Sequence, residues 1–143
     1  MSTRSLLRQL PIRIAAGAFV LNSGLGKLSA DQSAAEQLHG FATTTYPFLG
    51  KLEPRRFTQL LAAGEVASGA ALVIPFVPAA FAGACLTAFS AGLLGLYLGT
   101  PGMRKEGSIR PTEQGTALAK DVWLLGIGLA LVVDGLTARG ERR

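Results

Sequence analysis

One cysteine and one histidine are all that these 143 residues hold of the softer metal ligands. Cys85 cannot form an internal disulfide, and no CxxC pair exists for redox or zinc chemistry. With His39 as the lone imidazole, a haem ligand pair and an iron–sulfur site are excluded as well. HExxH and GxSxG are absent. Gly24-Leu25-Gly26-Lys27 has the ending of a phosphate loop, but Leu21 stands where its first glycine belongs and Leu28 replaces the Ser or Thr. Charge is scarce too, 16% of residues against about 25% in soluble domains. The net charge of +5 comes from basic residues at the ends of apolar runs, without an aromatic-basic groove pattern. Nucleic acid is therefore set aside, and anionic headgroups are the expected counter-ions.

What the chain has in abundance is apolar length. From Phe57 to Met103, about 47 residues carry a single charged side chain, Glu65. A helix needs about 20 apolar residues to cross a bilayer core, so this run is long enough for two crossings. Pro75-Phe76-Val77-Pro78 breaks it in the middle by removing backbone donors. Arg55-Arg56 precede the run and Arg104-Lys105 follow it, as headgroup stops would. The 18 glycines fall mostly inside apolar segments, where small residues let membrane helices approach closely.

Four crossings are predicted, at about 10–28, 57–74, 79–99 and 115–136. The fold class is an all-α integral membrane four-helix bundle, up-down-up-down, forming one domain over residues 1–143. Arg13 and Asn22 interrupt the first segment, which reads as a retained helix instead of a cleaved signal. Residues Gln32 to Phe41 read as a short amphipathic helix on the membrane surface, followed by Tyr46-Pro47 at the interface. His39, in that region, reads as a surface or interfacial residue. Arg4, Arg8, Arg13, Arg139, Arg142 and Arg143 on the terminal side are matched by seven basic residues on the loop side. Orientation then follows the first helix, which favours cytoplasmic termini.

The buried charges sort into two layers. At 1.5 Å per residue, Asn22 lies roughly 9 Å, Glu65 roughly 12 Å, and Lys120 and Asp121 roughly 8 Å from the loop-side helix ends, with Lys27 at such an end. Asn22, Lys27, Glu65, Lys120 and Asp121 thus form one polar layer, a candidate ligand or proton site. Glu65 with Lys27 or Lys120 is the most economical pairing, because an unpaired ion in a span costs at least about 2.5–3.5 kcal/mol. Arg13 and Asp134 fall near the opposite face, where they are expected to pair. The same charges also read as devices that fix helix register alone. Gly17 with Gly24, then Gly92, Gly95 and Gly99, and Gly126 with Gly128 supply close-packing faces that would also serve a homo-oligomer. Trp123 reads as an interfacial anchor. Neither an internal repeat nor a broken helix is evident.

Three stretches carry a likeness to a known family: Arg13-Ile14-Ala15-Ala16-Gly17-Ala18-Phe19, Ser23-Gly24-Leu25-Gly26-Lys27-Leu28 and Gly64-Glu65-Val66-Ala67-Ser68-Gly69. With Thr100-Pro101-Gly102-Met103, Arg110-Pro111-Thr112 and Ala119-Lys120-Asp121-Val122-Trp123, the chain resembles the DoxX family of small four-helix bacterial membrane proteins over nearly its whole length. Arg13, Lys27 and Glu65 match that family's polar positions, and Lys120 and Asp121 match one branch. The family is named for a membrane subunit of thiosulfate:quinone oxidoreductase, and some members associate with redox enzymes that detoxify oxidants. The resemblance implies a multi-pass subunit of a redox or oxidative-stress assembly in the bacterial cell membrane, with redox-enzyme partners. Quinone or lipid would contact the polar layer, and no cofactor is intrinsic. The chain alone, without a nucleophile–base pair, is not expected to turn over substrate. A small carrier or proton-linked transporter and a purely structural scaffold are the alternatives.

Overall fold

The computed structural model describes residues 3–140, with side chains from Leu6 to Ala138. Arg142 and Arg143, and the side chains of Arg4 and Arg139, lie outside what is described. Among the described residues the chain is helical, without strands. Helix α1 covers Thr3–Leu28, α2 Gln32–Thr45, α3 Pro54–Val73 and α4 Ala79–Gly99. A short turn, α5 (Thr116–Ala119), precedes α6 (Val122–Gly140). A 3-10 turn over Pro47–Lys51 links α2 to α3. Two segments, Ala79–Gly99 and Thr116–Ala138, are long and apolar enough to cross a membrane.

Local chemistry sets these boundaries. Asp31 caps α2 by accepting from the Ala34 N–H at 2.8 Å, one of the donors a helix start leaves unpaired. Pro54 opens α3, where its missing N–H costs nothing. Pro75 ends α3, since it cannot donate to a carbonyl one turn back. After α4 the chain turns at Thr100-Pro101-Gly102-Met103, with Gly102 at φ +83°, a conformation that favours glycine there. The loop that follows is tied back by an Arg104–Pro111 bridge and by Tyr97, whose hydroxyl donates to the Ile109 carbonyl.

The four long helices form two intimate pairs, α1 with α3 and α4 with α6. The pairs meet where α3 touches α4 and α1 touches α6. Both pairs run antiparallel: Gly17 lies against Leu72 and Val73, whereas Gly24 lies against Glu65 and Val66. Likewise Gly83 faces Gly128 and Leu131, and Gly135 faces Ala80. Contact is backbone to backbone. A Cβ on Gly69 would stand 2.7 Å from the Leu21 nitrogen, and one on Gly83 would stand 2.6 Å from the Gly128 carbonyl oxygen. Ala16, Val20, Leu72, Ala82, Leu86 and Leu131 fill the space between the pairs.

Two sequence expectations change here. The helix expected as one piece over 115–136 is interrupted at Lys120-Asp121. There the Asp121 and Trp123 N–H groups reach back only three residues, to Leu118 and Lys120, which tightens the turn. The helix expected to lie on the surface over Gln32–Phe41 continues to Thr45 and is docked against α3 and α4, burying Ala35 and Ala42.

These contacts make Gly69→Val a test of the α1–α3 crossing. Overpacking of this kind costs about 1–3 kcal/mol, and the purified protein should show a lowered unfolding midpoint by circular dichroism. Gly126→Ala, where a Cβ meets nothing within 4 Å, should leave the midpoint unchanged or raise it.

Candidate functional site

Lys27 and Glu65 meet at the end of the α1–α3 crossing, where Gly24 lets the two backbones approach. The Lys27 ammonium donates to Glu65 Oε2 at 3.0 Å and to Ser23 Oγ at 2.7 Å. Glu65 is almost fully buried, its side chain 3% exposed, and Lys27 keeps 25%. A buried carboxylate requires a partner of this kind, because desolvation without one costs several kcal/mol. Of the two pairings open in the sequence, the chain makes the one with Lys27.

This pair forms one end of a cavity of about 490 Å³. Ser23 and Asp121 join it there, and Asp121 senses the Glu65 charge across the space. Elsewhere the lining is apolar: α1, α3 and α4 supply walls that include Phe19, Phe57 and Phe89. Helix α2 closes the cavity with Leu38, Phe41 and Ala42, and Tyr46 follows at its end. A volume in this range, with apolar walls and a few convergent polar groups, is the form of a small-molecule site.

The cover is fastened at three points. The Tyr46 hydroxyl donates to the Gly92 carbonyl at 2.8 Å. Thr45 and Thr100 hydroxyls lie 3.0 Å apart, and His39 Nε2 sits 3.0 Å from the Leu49 carbonyl oxygen while its ring tilts against Phe57. Gly95 and Gly99 face Tyr46 and Thr45, so their lack of side chains seats α2 against α4.

The other layer is built differently from the expectation. Asp134 pairs with Arg8 and also accepts from Gln9. Arg13 does not reach it. The Arg13 guanidinium is buried, 2% exposed, and donates to the carbonyls of Ala71, Leu72, Ile74 and Val77 at 2.8–3.1 Å. Helix ends leave carbonyls unpaired, and Pro75 has no N–H to offer Ala71. A cation at the negative end of α3 supplies the missing donors. The two layers are about 21 Å apart along α1, taking 1.5 Å per residue from Arg13 to Lys27.

No family model, curated protein or solved structure matches this chain.

Of the five residues expected in one polar layer, Lys27, Glu65 and Asp121 line the cavity; Asn22 and Lys120 do not. Both are exposed, because helical phase turns Asn22 away from α3 and the break at Lys120-Asp121 sends adjacent side chains different ways. Trp123 is 68% exposed and takes no part in the cavity wall. Tyr46 is the site residue that sequence reasoning placed at an interface. The Gly95-x-x-x-Gly99 spacing on α4 marks the close contact, yet nothing in it names α2 as the partner. Among the described residues, no group of His, Cys, Asp and Glu is arranged to hold a metal ion.

Unequal exposure across the ion pair yields an asymmetric prediction. Lys27→Met strands Glu65 in the interior and should cost about 3 kcal/mol or more. Glu65→Gln leaves an ammonium that can turn outward and should cost less. The double variant Lys27→Met/Glu65→Leu should recover part of the loss, read as unfolding midpoints in one detergent. For the other layer, Arg13→Lys keeps the charge but loses the planar fork, and should lower the midpoint nearly as far as Arg13→Met does.

Proposed function

We propose that this chain is a multi-pass membrane protein, a four-helix bundle of up-down-up-down topology. In this reading it holds a small amphiphile in the cavity under α2, as the membrane subunit of a redox or oxidative-stress assembly. The observation that carries the membrane reading is the outward exposure of the two long apolar helical segments. Large apolar side chains such as Phe81 and Val133 face outward there, while Arg13 and Glu65 are drawn inside. A core helix of a soluble protein would also pass a test of length and hydropathy, but it would be covered by its neighbours. Only 28% of the apolar window in Ala79–Gly99, and 11% of that in Thr116–Ala138, is buried inside the protein. Between α1 and α3, Lys27 meets Glu65 and Arg13 meets backbone carbonyls, so neither interior cation faces lipid without acceptors in this reading.

The ligand reading rests on the cavity, whose long apolar part and short polar end suit a molecule with a tail and a head. Quinone and lipid both belong to that class. The redox or stress setting and the partner subunits rest on the DoxX resemblance, with the bacterial cell membrane as location and cytoplasmic termini. A second reading, a small carrier, is favoured by one observation: the interruption at Lys120-Asp121 lies beside the cavity, and carriers use broken helices at their sites.

Topology is tested in a Cys85→Ala background with a membrane-impermeant thiol reagent. Thr137→Cys and a cysteine in an amino-terminal tag should label from one face, and Gln37→Cys and Ser108→Cys from the other. Labelling of the two termini from opposite faces, or release of the protein by alkaline carbonate, would remove the reading. Mass spectrometry of protein extracted with its surrounding lipid should show an amphiphile and partner subunits enriched over bulk membrane.

A further inference from the structure

The polar end of the cavity has more negative than positive charge. Lys27 is the cationic side chain in its lining, and its ammonium is already engaged by Glu65 and Ser23. Asp121 is the second carboxylate, and its side chain has no hydrogen bond or ion pair among the described residues. Lys120, its neighbour in sequence, is exposed and outside the lining. The cavity therefore presents an unanswered carboxylate, and its Coulomb interaction with Glu65 is repulsive. Lys27 keeps one of its three N–H donors, but a head that only accepts hydrogen bonds leaves Asp121 unanswered. A head that donates them, or carries positive charge, satisfies Asp121 and relieves that repulsion.

The walls are apolar. Phe19, Phe41, Tyr46, Phe57 and Phe89 place five aromatic side chains around one cavity. They suit the alkyl part of such a molecule and leave its head to the polar end. Phe19 is 65% exposed although it lines the cavity, which puts it at the rim, on the apolar outer surface of α1.

We propose that the cavity selects a cationic amphiphile, an alkyl chain ending in an ammonium group, with the ammonium on Asp121 and the chain among the aromatic walls. The inference rests on the reading of the cavity as an amphiphile site and adds the sign of the head.

The full chain in lipid nanodiscs is titrated at neutral pH with decylammonium, decanol and decanoate, each corrected for partition into empty nanodiscs. The unfolding midpoint and the saturable binding isotherm are recorded. Decylammonium should bind at least about tenfold more tightly than decanol, as expected of one charge-assisted hydrogen bond, and decanoate more weakly than either. Asp121→Asn should lower decylammonium affinity at least about tenfold and erase its preference over decanol, with helicity unchanged. Equal binding of the three probes would overturn the cationic selection and leave the amphiphile site standing. Saturable binding of none of them would overturn both. Because the head series is run on the unaltered chain, it decides the question even if Asp121→Asn does not fold. A short-chain quinone that binds as tightly as decylammonium would also refute the selection.

Discussion

Helix α1 carries two cations into the interior, and α3 with the turn after it answers both. Arg13 is held by four carbonyls at the end of α3 and in the following turn, and Lys27 by Glu65 near its middle. Neither contact forms unless the two backbones lie close together, which Gly17, Gly24 and Gly69 allow. The order of dependence is thus steric first and electrostatic second. A side chain at Gly69 would push α1 away from α3 and loosen the packing and both sets of charged hydrogen bonds together.

The α4–α6 pair obeys the same steric rule with little charge. Gly83, Gly128 and Gly135 let these helices touch, and their outer faces remain apolar and open. The molecule is divided accordingly: the α1–α3 pair concentrates the buried charge, and the α4–α6 pair is apolar nearly throughout. The cavity lies between them and takes its character from both, with its ion pair from α1 and α3 and much of its wall from α4. Helix α2 belongs to neither pair. Its hold on α4 comes from Tyr46 and Thr45, two side chains just beyond the glycine face.

Much of this was legible in the residues themselves. The apolar run between two basic clusters gave the limits of α4 to the residue, and the proline-bounded stretch marked the turn before it. Glu65 was conspicuous because a lone carboxylate in such a run needs a cation, and Lys27 was one of two within reach. Arg13 was misassigned because its acceptors are backbone carbonyls, which no residue name reveals. The available signal was Pro75, whose missing N–H leaves a carbonyl one turn earlier without a donor. The interruption at Lys120-Asp121 lacked even that much: neither residue is a helix breaker, and the tightened turn arises where the loop hands the chain to α6. Docking of α2 depends on long-range fit between Tyr46 and Gly92, a contact across 46 residues.

The Arg13 contacts have a consequence for how the chain is made. When α1 leaves the ribosome, its ion-pair partner Glu65 is 38 residues away and its last carbonyl acceptor, on Val77, is 64 residues away. In a bilayer α1 alone would carry a bare guanidinium and a bare ammonium, an arrangement that insertion scales disfavour. Translation of α3 and of the proline turn removes that obstacle, because the acceptors then exist. In the proposed membrane setting, entry of α1 would wait on a segment well downstream, since a hairpin of α1 with α3 and its turn is the smallest unit that answers both cations.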